Sequence, residues 1–454
     1  MKNRRHTGAT ARTRQGLLRP ALLSLCCVLA LSACGSSDDD ADDTDATGVG
    51  EEMPPTTGSP GPGDTDTPTD GETDPSVETP PVDDPPEPIA GVTTQYAFVS
   101  SAAPGGDAGQ IERLTLGDDI VSSGMTEATG SDIRVATDGT DLYQIGRFQL
   151  DSLTRYTPDE LRAPLWQYSV NGDEIAANPH AIVFASESKA YVVRYGSPKI
   201  WIVDPSAASE EDFKTGEIDL SAYDADGVPE AAGAVLVDGK LFVLMQRLEN
   251  FKPVRNGYVA VIDTATETEI DTGMGEDGLA GIALSTSNPE GIFHAEDTGD
   301  IFVVGRGNIF TAFNDLEGDP YNGGIQTIDP DSYAVDLLID DGTEDDTQGF
   351  VSDALIVSAE KGYLLHYAEF GSTTLRSFNP ITGVVNDTVV AGLADRDISV
   401  LATGPEGRVW VGLNGTESRG FTLIDPADDS VVVENVPVEF NPNGIVFIES
   451  IDEE

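Results

Sequence analysis

From about residue 91 onward, apolar residues come in short runs of four to six separated by turn residues. Ala190-Tyr191-Val192-Val193, Leu241-Phe242-Val243-Leu244, Ile301-Phe302-Val303-Val304 and Val409-Trp410-Val411-Gly412 are the clearest. A Gly-containing turn precedes most of them: Asp138-Gly139, Asp238-Gly239, Thr298-Gly299, Lys361-Gly362 and Glu406-Gly407. No long segment keeps a 3.6-residue period. Short β-branched runs punctuated this way predict antiparallel strands. A second run ends in an acid: Ile200-Trp201-Ile202-Val203-Asp204-Pro205, with echoes at 259–264, 325–330 and 421–426. Asp at that place predicts a turn, because its carboxylate can bond the backbone ahead of it and a following Pro presets φ.

These strands repeat as a unit. Asn178-Pro179-His180-Ala181-Ile182, Asn288-Pro289-Glu290-Gly291-Ile292 and Asn441-Pro442-Asn443-Gly444-Ile445 are related, and looser relatives end at Ile133, Ala234, Ala354 and Ile398. The seven end points are 44 to 62 residues apart. Three or four strands per unit, repeated radially over 364 residues, predict an all-β fold, a seven-bladed β-propeller. Six or eight blades would require one weak unit, near 232 or 354, to be misread. Residues 93–119 supply strands with no inner strand before them, and 444–449 form a strand with nothing after it. Pairing the two completes one blade and closes the ring.

The cycle of Asn-Pro-x-Gly-Ile, Asp-Gly, aromatic-valine strand and Val-Ile-Asp-Pro resembles the YVTN-repeat and lactonase-like propellers. The resemblance covers nearly all of 91–454 and implies architecture. Gly-His and Trp-Asp pairs of WD-repeat blades are missing, as are the tryptophan docking motifs of quinone-dependent propellers. Trp166, Trp201 and Trp410 sit in strand contexts that predict blade packing.

The N-terminus has another character. Lys2, Arg4, Arg5, Arg12, Arg14 and Arg19 precede an apolar run from Ala21 to Ala33. That run is 13 residues long, against the ~20 that cross a bilayer as a helix. Leu31-Ser32-Ala33-Cys34 resembles the lipobox of bacterial lipoproteins, which implies a signal peptide over 1–33 and a lipidated Cys34. Cys26 and Cys27 would leave with the leader, so Cys34 would be the mature chain's one cysteine. Gly35, where an Asp would imply inner-membrane retention, implies the outer membrane, facing either the periplasm or the cell surface. Residues 35–90 hold 12 Asp and 5 Glu with no Lys or Arg, and 54–88 are rich in Pro and Thr. This composition predicts that 34–90 form a disordered, self-repelling tether.

The domain from 91 carries 19 Lys and Arg against 63 Asp and Glu. A surface this acidic repels nucleic acid and anionic headgroups, which excludes DNA and RNA as expected partners. A monomer is expected, with the membrane reached only through Cys34. The other partner class is open: protein, glycan or small molecule.

Candidate chemistry follows from the repeat. Aligning the units puts Ser131, His180, Ala232, Glu290, Ser352, Arg396 and Asn443 at one position per blade, at the entry of the strand lining the channel. The next position adds Asp132, Asp353 and Asp397. His180, Glu290, Arg396, Asn443, Asp132, Asp353 and Asp397 are therefore the candidate channel-mouth site. His294 shares the inner strand of its unit, and His366 in Leu364-Leu365-His366-Tyr367 reads as a packing histidine. His-Glu-x-x-His, cysteine zinc motifs, Gly-x-Ser-x-Gly and phosphate loops are absent from the sequence. No cofactor is certain. Structural calcium is the one ion to weigh, in the acidic stretches 224–227 and 340–346, neither of which has EF-hand spacing. Two functions are consistent with this: a non-catalytic binding scaffold, the preferred one, and, implied by the resemblance, a lactonase-like hydrolase. In the second, a metal at the mouth would be held by the acids, with His180 carrying protons. Arg396 among those acids disfavours a divalent site.

Overall fold

The computed structural model describes residues 93–308, 320–343, 349–369, 372–390, 392–416 and 419–451. The leader, Cys34 and the whole acidic tether lie outside the described residues. Strands form seven antiparallel sheets, six of four strands and one of five, in which Ile282–Ser287 also pairs with Asn256–Asp263; in six of the sheets the strands run in sequence order from the inside out. The inner strands of blades 1 to 6 are Ile133–Thr137, Pro179–Ser186, Ala231–Val237, Pro289–His294, Phe350–Ser358 and Ile398–Thr403. All seven end points of the sequence repeat fall on inner strands. Both weak units, near 232 and 354, are complete blades. The chain is thus a seven-bladed propeller.

Blade 7 is composite. The final strand Asn441–Ile451 lies inside Thr93–Ala102, followed outward by Gly109–Leu116 and Val121–Met125. It pairs with the first strand from Thr93↔Ile451 to Ala102↔Asn441. The two ends of the domain therefore hold each other, as the unpaired strands predict.

Why the apolar runs are continuous is clear from the packing. Seven clusters of buried side chains occupy the seven junctions between neighbouring blades. Alternate residues of one strand serve opposite junctions: Ala190 and Val192 face blade 1, while Tyr191 and Val193 face blade 3. Each sheet is buried on both faces, so polar alternation is lost. The tryptophans belong to these layers, Trp166 stacking on Tyr168 at 4.5 Å and Trp410 meeting Phe421 and Phe447 edge-on.

The predicted Asp turns are built as expected. Asp263 Oδ1 accepts the Ala265 and Thr266 amides, both at 2.9 Å, and Asp329 Oδ1 accepts those of Asp331 and Ser332 at 3.0 and 2.7 Å. At Asp238-Gly239 both residues have positive φ, 47° and 75°, the backbone of a two-residue hairpin turn. One turn was misplaced by the pattern. Lys361 and Gly362 begin a strand, Lys361–Glu369, and the turn is one step earlier. Gly is required there because a Cβ would come within 2.7 Å of the Phe378 ring.

Lys361 shows what the strand start is for. Its Nζ reaches Asp429 of the next blade at 2.7 Å, and the Tyr363 hydroxyl donates to the same carboxylate at 2.5 Å. Lys189 makes the equivalent reach to the Thr264 carbonyl (2.7 Å), and Lys240 to the Pro330 carbonyl (2.8 Å). These three lysines pin the turns of blades 3, 4 and 6 to the preceding blade, while the equivalent residue is Asp141 in blade 1, Asp300 in blade 4 and Arg408 in blade 6. Asp429→Ala strands a buried phenol and removes the ammonium's partner, and we expect it to lower unfolding free energy by about 1–3 kcal/mol. Asp429→Asn keeps an acceptor for Tyr363 and should cost less. Denaturant midpoints unchanged by either substitution would show that the staple contributes nothing.

Candidate functional site

The inner strands do not enter the ring as regular strands. In blade 2, Pro179 pairs with Arg194 and Ala181 with Val193, leaving His180 as an extra residue. The same bulge recurs in blades 3, 4, 5, 6 and 7, extruding Ala232, Glu290, Ser352, Ser399 and Asn443. A bulge re-aims one side chain at the point where pairing begins, and here it does so once in each of six blades at the same end of the channel. Blade 1 pairs without a shift, Ile133↔Gly146 then Arg134↔Ile145.

This register sorts the sequence candidates. His180, Ala232, Glu290, Ser352 and Asn443 are bulge residues, as the repeat alignment implies. Ser131 and Arg396 are not equivalent to them. Arg396 lies two residues before its strand, pairs with Thr373, and donates to the Gly392 carbonyl of its own loop at 3.3 Å. Ser399 takes its place. The cause is an inserted residue: matching Asp132-Ile133 to Asp397-Ile398 aligns a blade without a bulge to one with it.

A second ring was not anticipated. The first residue after the second strand is Arg147, Tyr195, Gln246, Arg306 or Asn414 in blades 1, 2, 3, 4 and 6. Each amide donates to the carbonyl just before the inner strand, on Asp132, Asn178, Glu230, Asn288 and Asp397 respectively, at 2.8–3.1 Å. That bond sets these side chains beside the bulges. The recurring dipeptide Gly146-Arg147 and Gly305-Arg306 was the sequence signal for it.

Together the two rings form three linked networks. Across blades 1 to 3, Arg147 lies 3.6 Å from Asp132 and its other guanidinium nitrogen is 2.8 Å from His180 Nε2. The His180 ring stacks on Tyr195 at 4.3 Å, and the Tyr195 hydroxyl donates to Gln246 Oε1 at 2.7 Å. Burial, then Arg147 and Arg134, hold His180 well below the usual imidazole range, opposed by a bond to the Ala232 carbonyl. The ring is neutral, and its Nε2 lone pair accepts from Arg147.

In blades 4 and 5, Arg306 pairs with Glu290 at 2.5 Å and donates through Nε to the Ser352 carbonyl at 3.0 Å. Next to it, Asp353 accepts the Ala354 amide at 2.9 Å. Burial pushes Asp353 up to about 6, with Arg306 opposing and Glu290 adding to the rise. In blades 6 and 7, Asn414 donates to Asp397 at 3.2 Å, Ser399 to the Pro442 carbonyl at 2.7 Å, and Ser100 to Asn443 at 2.7 Å.

The remaining candidates lie elsewhere. His294 ends the inner strand of blade 4, at the opposite end from Glu290. His366 is on the second strand of blade 5, held down to about 4 by burial and then Arg376. In the acidic stretch 224–227, buried Asp224 faces Arg255 at 3.5 Å and Asp226 accepts the Val228 amide at 2.8 Å. The stretch 340–346 lies partly outside the described residues. Among the described residues, no three His, Cys, Asp or Glu side chains are grouped to hold a metal ion.

No protein-family model matches the chain, and no curated protein aligns with it significantly. Solved structures do match in fold. A candidate 6-phosphogluconolactonase from Bacteroides uniformis is 10% identical, covering 78% of this chain and 99% of its own, with a TM-score of 0.54. A protein from Lactobacillus plantarum is 13% identical over 78% of this chain and 99% of its own, with a TM-score of 0.52. Pseudomonas aeruginosa periplasmic gluconolactonase is 12% identical over 80% and 100%, with a TM-score of 0.51. At these identities the likeness is one of fold.

Proposed function

We propose that the propeller is a non-catalytic binding module, tethered by lipidated Cys34 to the outer membrane, that holds a polar ligand or partner at the channel mouth. One observation carries this reading: at the Arg147 and Arg306 ends of the mouth the charged groups are already paired. Asp132 faces Arg147, Glu290 faces Arg306, and the His180 lone pair is occupied by a guanidinium. A neutral imidazole has one acceptor nitrogen, and with Arg147 on His180 Nε2 that ring has no lone pair left to take a proton from water or substrate. A pre-paired polar ring instead offers fixed donors and acceptors at little reorganisation cost, which suits recognition. Fold likeness to lactonases does not by itself transfer their chemistry.

The experiment pairs an activity assay with a binding screen. Hydrolysis of glucono-δ-lactone at pH 7 is expected to run at the buffer rate. A thermal-shift screen of sugars, sugar acids and peptides is expected to return ligands whose stabilisation disappears in Arg147→Met. Catalysed lactone opening that falls in Arg147→Met or Glu290→Gln would overturn the binding reading in favour of a hydrolase. Hits that act equally on the variant would move the site away from the mouth.

A further inference from the structure

Below the mouth, the inner strands of blades 4, 5 and 6 line a half-open cavity of about 460 Å³. Phe293, Leu355, Ile356 and Leu401 line it, and Asp353 is its one carboxyl group. The volume is in the range of small-molecule sites. The carboxyl is poorly compensated. One oxygen accepts the Ala354 amide, and Arg306, the cation that acts on it, is spent on Glu290 and the Ser352 carbonyl. Among the described residues, Asp353 has no ion pair. A carboxylate set in an apolar wall without a counter-ion is costly, and a ligand that supplied the cation would remove that cost. An anionic ligand would meet both this carboxylate and a domain with 63 acids to 19 basic residues. A neutral one would leave the charge uncompensated. An ammonium group on a compact hydrocarbon body satisfies the carboxylate and the walls together.

We propose that this cavity binds a small primary amine, its ammonium on Asp353 and its apolar body against Phe293, Leu355 and Leu401. The assignment rests on reading the propeller as a binding module and adds a second ligand class to it, at a site deeper than, and independent of, the Arg147–His180 network. Charged and titratable groups around Asp353 are Arg306 and Glu290 at the mouth end and His294 in the same cavity. Because the carboxyl must be ionised to hold the ammonium, affinity depends on pH. With burial placing it at about 6, binding should weaken about tenfold between pH 7.5 and pH 5.

The test is calorimetric titration of the mature chain carrying Cys34→Ala, with benzylamine, benzyl alcohol and benzoate as probes. Benzylamine is expected to bind one to one at pH 7.5 and about tenfold more weakly at pH 5, with the alcohol and benzoate at least tenfold weaker. Asp353→Asn should lose at least tenfold in benzylamine affinity while melting as cooperatively as the parent. Arg147→Met should leave benzylamine binding unchanged. Equal binding of benzyl alcohol, no benzylamine binding at pH 7.5, or an unaffected Asp353→Asn protein would overturn the amine site and leave the mouth reading standing. Loss of benzylamine binding in Arg147→Met would also overturn it, returning the ligand to the mouth.

Discussion

A chain ending at residue 440 should not fold cooperatively. The strand Asn441–Ile451 is the innermost of blade 7 and pairs along the whole of Thr93–Ala102. Its side chains serve two junctions: Ile445 and Phe447 pack with Trp410 and Val99 towards blade 6, while Val446 and Ile448 pack with Phe98 and Ile133 towards blade 1. Ile448 is buried and the other three partly so; at no more than roughly 1.5–3 kcal/mol each, the four are worth up to about 6–12 kcal/mol of burial. That is comparable to the whole stability of a typical domain, about 5–15 kcal/mol. Deletion also bares Thr93–Ala102 as a long edge strand carrying buried Ala97, Phe98 and Val99, a template for aggregation. Near-UV circular dichroism and thermal melting of the truncated chain should show no sharp transition and sedimentation should show large aggregates. A cooperative melt within a few degrees of the parent would mean that six blades suffice and the closing strand is dispensable. The milder Ile448→Ala should cost about 2–5 kcal/mol.

Closure of that kind was legible because it follows from counting strands. Gly444–Glu449 had no outer partners and Thr94–Val99 no inner one, so only one pairing completed both. Blade positions were legible for a related reason. Burial on both faces forces uninterrupted apolar runs, and the turn after Val-Ile-Asp is fixed locally by the Asp carboxylate. What the sequence did not show was the bulge. One inserted residue changes which side chain points into the mouth without changing the apolar pattern, so Asp397-Ile398 matched Asp132-Ile133 and Arg396 displaced Ser399. With the bulge known, Ile398-Ser399-Val400-Leu401 aligns with Pro179-His180-Ala181-Ile182. Lys361 was misread similarly: it was assigned to a turn because it precedes Gly362, whereas that glycine is set by the approach of Phe378 and the lysine by Asp429.

The partner ring of Arg147, Tyr195, Gln246, Arg306 and Asn414 was missed for a different reason. These residues follow the most apolar strands of the chain, where the eye takes them as loop. Their positions are set by a backbone bond to the residue before the inner strand, 2.9 Å for Arg147 to Asp132 and 3.1 Å for Arg306 to Asn288. The consequence is chemical. Read alone, the sequence candidates put Glu290, Asp132 and Asp397 together as an acid cluster fit for a cation. Read with their neighbours, each acid has its own donor, and the mouth is a set of fixed pairs. Asp353 is the carboxyl left over, and it faces an apolar cavity.

Replacing Cys34 by Ala is expected to move the protein almost completely from the membrane fraction to the soluble one. Cys34 lies outside the described residues, so the argument rests on sequence and on energetics. Each buried acyl CH₂ is worth about 0.8 kcal/mol, one chain binds only marginally, and two or more hold durably. The chain after Cys34 continues with Gly35-Ser36-Ser37 and three aspartates, and 35–90 carry 17 acids with no basic residue, so anionic headgroups repel it. Among the described residues, no helix is long and apolar enough to cross a membrane. Fractionation of cells, with labelled palmitate to follow acylation, checks this: the parent should be labelled and sediment with membranes, the variant unlabelled and soluble. A variant that still sediments with the membrane would place the anchor elsewhere and remove the basis for reading 34–90 as its tether.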